Sequence, residues 1–146
     1  MRNSKLLIAM CVVTVSLVSC LESDSDVVHH SVDVAAANDE WTDTGVSVDG
    51  GDLIVIFVKG DVTIGSLYGE VGADGAVSGA GRLYAKVGTT KTLPVGSEVA
   101  FVSSESGSLK LRVHDEKYLD NSGSFNATVM LVPAEVIPDA VVIGAE

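Results

Sequence analysis

The chain has 146 residues, which is the size of one domain. It carries 9 basic against 20 acidic residues, a formal net charge of −11, which excludes a nucleic-acid binder that relies on neutralising phosphates. The 2 cysteines, Cys11 and Cys20, both lie near the N-terminus, so the rest of the sequence offers neither a disulfide scaffold nor a cysteine metal site.

Residues 1–19 are predicted to be a lipoprotein signal peptide. Arg2 and Lys5 supply positive charge, and the apolar run over residues 6–19 is shorter than the roughly 20 residues of a transmembrane helix. The run ends in Val-Ser-Cys at Cys20, which resembles a bacterial lipobox, whose cysteine is lipidated and becomes the new N-terminus. The resemblance implies an exported lipoprotein at the outer membrane or cell surface. The alternative is a buried helix that merely ends in a cysteine.

Residues 20–30 are predicted to comprise the lipidated Cys20 and a flexible tether, because they are polar and acidic and show no hydrophobic period. The neighbouring His29 and His30 would point to opposite faces of a strand. They are therefore a poor pair for holding one metal ion.

From residue 31 to residue 132 the apolar residues recur with the period of two that is typical of β-strands. The apolar, β-branched run at residues 53–58 is typical of a central strand covered on both faces. Alternation after residue 108 places Leu111 inward and Lys110 outward. Other strands are predicted around residues 32–34, 46–48, 62–64, 82–87, 98–103, 108–115 and 124–132.

These short strands, separated by glycine, aspartate, asparagine and serine, predict an all-β domain. The predicted architecture is an antiparallel β-sandwich or jelly roll over residues 31–132. Residues 65–81 hold six glycines and are expected to form a long functional loop or an irregular edge. Residues 133–146 are left as a C-terminal tail or an extra edge strand.

Motifs of catalysis are missing from the sequence. It has no GxSxG elbow, P-loop or HExxH motif. The segment at residues 79–84 begins like a dinucleotide loop, but Tyr84 replaces the third glycine and a strand, not a helix, follows. His114, the one histidine of the predicted domain, is expected at a strand end. The protein is therefore predicted not to be an enzyme.

A dense group of oxygen-bearing side chains lies between the last two predicted strands. Asp115, Glu116, Asp120 and Asn121 fall within seven residues. Ca²⁺ takes 6–8 oxygen ligands from carboxylates, amides, backbone carbonyls and water, and it tolerates irregular geometry. The spacing therefore allows a calcium site. The alternative is that Asp-Asn-Ser-Gly simply forms a tight turn.

Several segments, in the same order along the chain, resemble the calcium-dependent, galactose-specific lectin family of Pseudomonas and related bacteria. The most specific is the block that carries Asp115 and the Asp-Asn-Ser-Gly-Ser-Phe motif. The matching segments are residues 44–60, 72–75, 81–88, 92–97 and 108–129. The resemblance implies a jelly-roll sandwich like that of galactose-binding domains, in agreement with the predicted strands.

The resemblance also implies a ligand set for one Ca²⁺. It consists of the side chains of Asp115, Asp120 and Asn121 with two backbone carbonyls. One carbonyl would come from Ile64, and the other from the middle of the loop at Lys117 or Tyr118. Asp115 and Asn121 would also contact the sugar, with Glu116 as a subsidiary ligand-binding candidate.

The chain departs from this family in two places. The loop over residues 115–121 is two residues shorter, and the insert that carries the family's histidine and glutamine sugar contacts is missing between Gly75 and Leu83. Calcium is therefore better supported than galactose.

The sequence predicts a lipid-anchored, calcium-dependent carbohydrate-binding protein. Its expected partners are a sugar, galactose-type by resemblance, and the membrane through its lipid, with no nucleic acid. Whether it forms a homo-oligomer stays open. The alternative function is a non-catalytic interaction or structural module of the cell envelope, with structural calcium or none, and no sugar binding.

Overall fold

The computed structural model describes residues 26–89 and 91–137. The predicted signal peptide, the lipidation site Cys20 and the expected edge strand near residues 141–143 lie outside the described residues. Within the described ranges, no helix has both the length and the apolar character needed to cross a membrane.

Short strands dominate the described ranges. They are β1 (Val28–Ala35), β2 (Thr42–Val48), β3 (Leu53–Lys59), β4 (Asp61–Ile64), β5 (Gly69–Gly72), β6 (Leu83–Val87), β7 (Leu93–Pro94), β8 (Glu98–Val102), β9 (Gly107–Val113) and β10 (Ser124–Val132). Helical turns are brief: α1 (Gly65–Tyr68) and the 3₁₀ turns η1 (Tyr118–Asp120) and η2 (Ala134–Val136).

The strands form two four-stranded antiparallel sheets and a separate hairpin. The first sheet has the order β1-β10-β3-β8, the second β2-β9-β6-β7, and β4 pairs with β5. Buried residues of both sheets pack into one hydrophobic cluster. The prediction of an all-β antiparallel sandwich is therefore confirmed.

The core follows the period-two pattern of the sequence. Leu111 on β9 is fully buried, whereas the neighbouring Lys110 lies on the other face and is only half-buried. Across the sheet, Ala85 of β6 pairs with Leu111 and is also fully buried. Phe125 on β10 is an aromatic ring in an otherwise aliphatic core. The predicted inward and outward assignments on β9 are confirmed.

Strand β3 differs from its prediction in one respect. It is central, between β10 and β8, and its inward residues Ile54 and Ile56 are buried. On the outer face Phe57 remains 43% exposed, and Val102 of β8, which pairs with Leu53, is 60% exposed. The described residues therefore cover this strand on one face, not on both.

The domain begins earlier than predicted. Strand β1 starts at Val28, which pairs with Leu131 of β10, so residues 28–30 belong to the sheet and not to the tether. The side chains of His29 and His30 are exposed, and the strand is held here through its backbone. Hydrophobic patterning misses a segment of this kind, because its stabilising groups are peptide groups.

Candidate functional site

A cleft of about 390 Å³ opens between the loop after β9 and the segment that joins β4 to β5. It brings together Asp115, Asp120 and Ile64, three of the residues predicted to ligate calcium, and Glu116 also reaches it. Its full lining is Ile64, Gly65, Ser66, Leu67, Tyr68, Ser78, Ala80, His114, Asp115, Glu116, Lys117 and Asp120.

Backbone pairing places Ile64 at this cleft. Thr63 and Ser122 exchange two hydrogen bonds, from the Thr63 N–H to the Ser122 carbonyl at 2.9 Å and from the Ser122 N–H to the Thr63 carbonyl at 3.0 Å. Ile64 is therefore held next to the segment that carries Asp120 and Asn121. Ile64, whose carbonyl the lectin resemblance implies as a calcium ligand, thus lies at the cleft.

Gly65 allows the Asp120 carboxylate to approach the backbone. A Cβ atom built on Gly65 would lie 2.7 Å from Oδ2 of Asp120 and 3.2 Å from its Cγ. Gly65 also has φ +52°, in the left-handed region that favours glycine. The sequence prediction did not include Gly65. The feature of the sequence that could have indicated Gly65 is its position directly after the strand that ends at Ile64.

The tyrosine of η1 ties the loop back to β9. The Tyr118 hydroxyl donates to the Val113 carbonyl at 3.1 Å and accepts from the Asp115 N–H at 3.3 Å. The Tyr118 carbonyl in turn accepts the Asn121 N–H at 3.2 Å. These bonds hold Asp115 and Asn121 at the two ends of one compact turn. Of the two mid-loop candidates, Lys117 lines the cleft, whereas the Tyr118 carbonyl serves the turn.

Asn121, the fourth residue predicted to ligate calcium, is not among the residues that line the cleft, and it is only 7% exposed. Its Nδ2 donates to the Ala36 carbonyl at 3.2 Å, which fixes the amide orientation, because the reverse would set two acceptors together. Its Oδ1 is buried and has no hydrogen-bond partner in the described part of the chain. A buried carbonyl oxygen without a donor costs about 1–3 kcal/mol. It is a natural ligand for a hard cation.

The donor set is rich in oxygen. Asp115 and Asp120 supply carboxylates, and Asp115 Oδ1 also accepts the Glu116 N–H at 2.8 Å. Residues 26–89 and 91–137 contain no group of three His, Cys, Asp or Glu side chains placed to hold a metal. A cation here would consequently need the Asn121 amide and backbone carbonyls as well as the two aspartates.

The segment between Gly75 and Arg82 also contributes to the cleft, and it is short and partly apolar. The chain between Gly75 and Arg82 forms tight turns, with the Ala76 N–H bonded to the Ala80 carbonyl at 2.8 Å and the Gly79 N–H to the Ala76 carbonyl at 2.8 Å. It contributes Ser78 and Ala80 to the cleft. This segment thus offers a ligand one hydroxyl group, that of Ser78, in addition to the other polar side chains of the lining.

Comparison with known proteins supports a lectin-like fold. No family model matches the chain, and neither does any curated protein. A solved structure of the N-terminal domain of EclA, described as a PllA-like lectin, aligns with a TM-score of 0.64 and 28% identity, covering 73% of this chain and 98% of that one. A functionally unknown conserved protein from Bacillus anthracis str. Ames aligns with a TM-score of 0.36 and 14% identity, over 70% of this chain and 21% of its own, which is too low to indicate a shared fold. The protein is an all-β, lectin-like sandwich, similar in fold and sequence to a PllA-like lectin.

Proposed function

We propose that the protein binds carbohydrate through a Ca²⁺ ion held in the Asp115–Asp120 cleft, and that it is attached to a membrane through Cys20. The observation that carries the calcium site is the buried Oδ1 of Asn121, which lacks a donor within the described residues. The similarity to a PllA-like lectin supports the carbohydrate. The resemblance of the Val-Ser-Cys sequence at Cys20 to a lipobox supports the lipid anchor.

The ligands for calcium would be Asp115, Asp120 and Asn121 with the Ile64 carbonyl and a carbonyl of Lys117 or Tyr118. Two carboxylates give the site a formal charge that matches a divalent cation, and calcium accepts the remaining oxygens in irregular geometry. When bound, the ion would offer a fixed positive charge that accepts sugar hydroxyls in place of water. Asp115 and Asn121 would then accept hydrogen bonds from those hydroxyls, with Glu116 and the cleft serines around them.

Binding of calcium should raise the melting temperature. An extracellular calcium module has a dissociation constant of about 0.1–1 mM. At ten times that concentration the folded state gains roughly 1.4 kcal/mol, which shifts the melting of a domain this size by about 5 °C. Differential scanning fluorimetry in calcium, and then in EDTA, measures this shift. A melting temperature that calcium does not change would contradict the metal site.

The cleft can be tested against a matched variant. Asp120→Asn should abolish the calcium shift, because it removes one of two carboxylates. Glu98→Gln, an equal loss of charge at an exposed position on β8, should retain it. Galactose-agarose and a glycan array, each with and without EDTA, would then report sugar binding. A protein that binds calcium and no glycan would be the structural module of the alternative hypothesis.

A further inference from the structure

A second surface, on the outside of the β2-β9-β6-β7 sheet, combines aromatic rings with positive charge. Trp41, just before β2, has the Lys86 Nζ 4.6 Å and the Arg112 Cζ 4.7 Å from its ring centroid. Tyr84 pairs across the strands with Arg112, on the same outer face. We call Trp41, Tyr84, Lys86, Arg112 and His114 the Trp41 patch.

The patch contains a preformed groove of about 290 Å³. Its lining is Trp41, Tyr84, Thr92, Arg112 and His114. The Tyr84 and His114 rings meet edge to face, with centroids 5.5 Å apart and planes at 68°. The Arg112 Nη1 donates to the Asp39 carbonyl at 3.1 Å, which holds the guanidinium beside Trp41. The rings and the cation are thus ordered before any ligand arrives, which lowers the entropic cost of binding.

The charged side chains on this face are mostly positive, although the whole chain is acidic. The chain has a net charge of −11, yet Lys86 and Lys110 are direct cross-strand partners, and Arg112 follows on the same face of β9. Like charges directly opposite each other destabilise a sheet. Asp43 of β2 is the partner of Lys110 on its other side and offsets one of the three cations, and its carboxylate also accepts the Gly45 N–H at 2.8 Å. An anion over this face would relieve the repulsion between the cations.

We propose that the Trp41 patch binds an acidic carbohydrate, through a site separate from the calcium cleft. Aromatic faces offer apolar surface to sugar rings, and arginine and lysine pair with the carboxylates of uronic acids. His114 lines both this groove and the Asp115–Asp120 cleft, so the two sites are neighbours. The Trp41 patch needs no metal, which lets it be tested independently of the proposed calcium site.

The test is a calorimetric titration with tetragalacturonate in EDTA, which removes calcium from both protein and ligand. Wild type and Asp120→Asn should bind equally, whereas methyl-esterified tetragalacturonate, the same sugar without its charges, should bind at least tenfold more weakly. Lys86→Gln should weaken binding by about tenfold, the effect of losing one charged contact. Lys59→Gln, the same substitution at an exposed position on β3, should leave binding unchanged.

Substitutions of Trp41 test whether the aromatic ring contributes to binding. Trp41→Ala should abolish binding and Trp41→Phe should preserve most of it; the Phe variant keeps the test valid if the Ala variant fails to fold. Three results would overturn the proposal: no binding by wild type in EDTA, equal affinity for a tetraglutamate peptide, or equal loss in Lys59→Gln and Lys86→Gln. The second would identify the face as a general contact for acidic polymers.

Discussion

Asn121 and Asp120 are adjacent in the chain, yet one is buried and the other is exposed. Asn121 is buried, and its amide is half satisfied, with Nδ2 bonded to Ala36 and Oδ1 without a donor in the described residues. Asp120 is exposed and sits over Gly65. A cation that touches both would satisfy the first and neutralise the second. The stability of the folded protein should therefore depend on calcium more than that of a lectin-like sandwich with fully satisfied polar groups.

Gly65→Ala should weaken calcium binding, because the new methyl group would displace the Asp120 carboxylate and the backbone would be strained at φ +52°. Gly79→Ala is the matched control, since Gly79 has φ +89° but a Cβ added there would meet no atom within 4 Å. Both variants should lose about 1 kcal/mol of folding stability from strain. Only Gly65→Ala should lose calcium affinity by calorimetry, and equal affinities would remove Gly65 from the site.

Part of this site could be predicted from the sequence. Residue type and spacing indicated Asp115, Asp120 and Asn121, and resemblance to a lectin family added Ile64. The burial of Asn121 could not be predicted, because Asp-Asn-Ser-Gly is equally typical of an exposed turn. Trp41 was missed as well. Its cations lie on β6 and β9, far along the chain, and only strand register places them over its ring.

At the scale of the strand, β9 provides the clearest test of the fold. Leu111→Ala should cost about 2–5 kcal/mol, because it leaves a cavity in the core. Lys110→Ala, one residue away on the outer face, should cost less than about 0.5 kcal/mol. Urea denaturation of both variants measures the two values. Similar losses at the two positions would mean that the register of β9 is wrong.

Strands with a buried face were predictable, and strands without one were not. Seven of the eight predicted strands bury side chains in the core, and the eighth, β8, packs the partly buried Val99 and Phe101 against it. The structure has a strand at all eight positions. Strand β5 contains two glycines, and β7 is two residues long and includes Pro94, so neither shows a period. The first residues of β1 were assigned to the tether for the same reason. Their contribution is backbone pairing with β10.

For the whole molecule, the proposed lipid anchor at Cys20 would decide where binding occurs. Cys20→Ala should move the protein from the membrane fraction to the soluble fraction and abolish incorporation of an alkyne-tagged fatty acid. Cys11→Ala, within the predicted signal peptide, should leave both unchanged. Fractionation with immunoblotting and mass spectrometry makes the measurement. A Cys20→Ala protein that stays in the membrane at its full mass would contradict the lipobox prediction.

Strand β1 runs from the start of the described domain toward the residues that flank the cleft. It begins at Val28, and the residue after its last, Ala36, touches Asn121. Eight residues of strand span about 26 Å, so the cleft and the start of the strand lie at opposite ends of the sandwich. Eight extended residues from Cys20 to Val28 reach at most about 28 Å. With Cys20 in the bilayer, as proposed, the tether would join the domain at the end away from the cleft, and it is long enough to let the cleft turn toward glycans above the lipid headgroups.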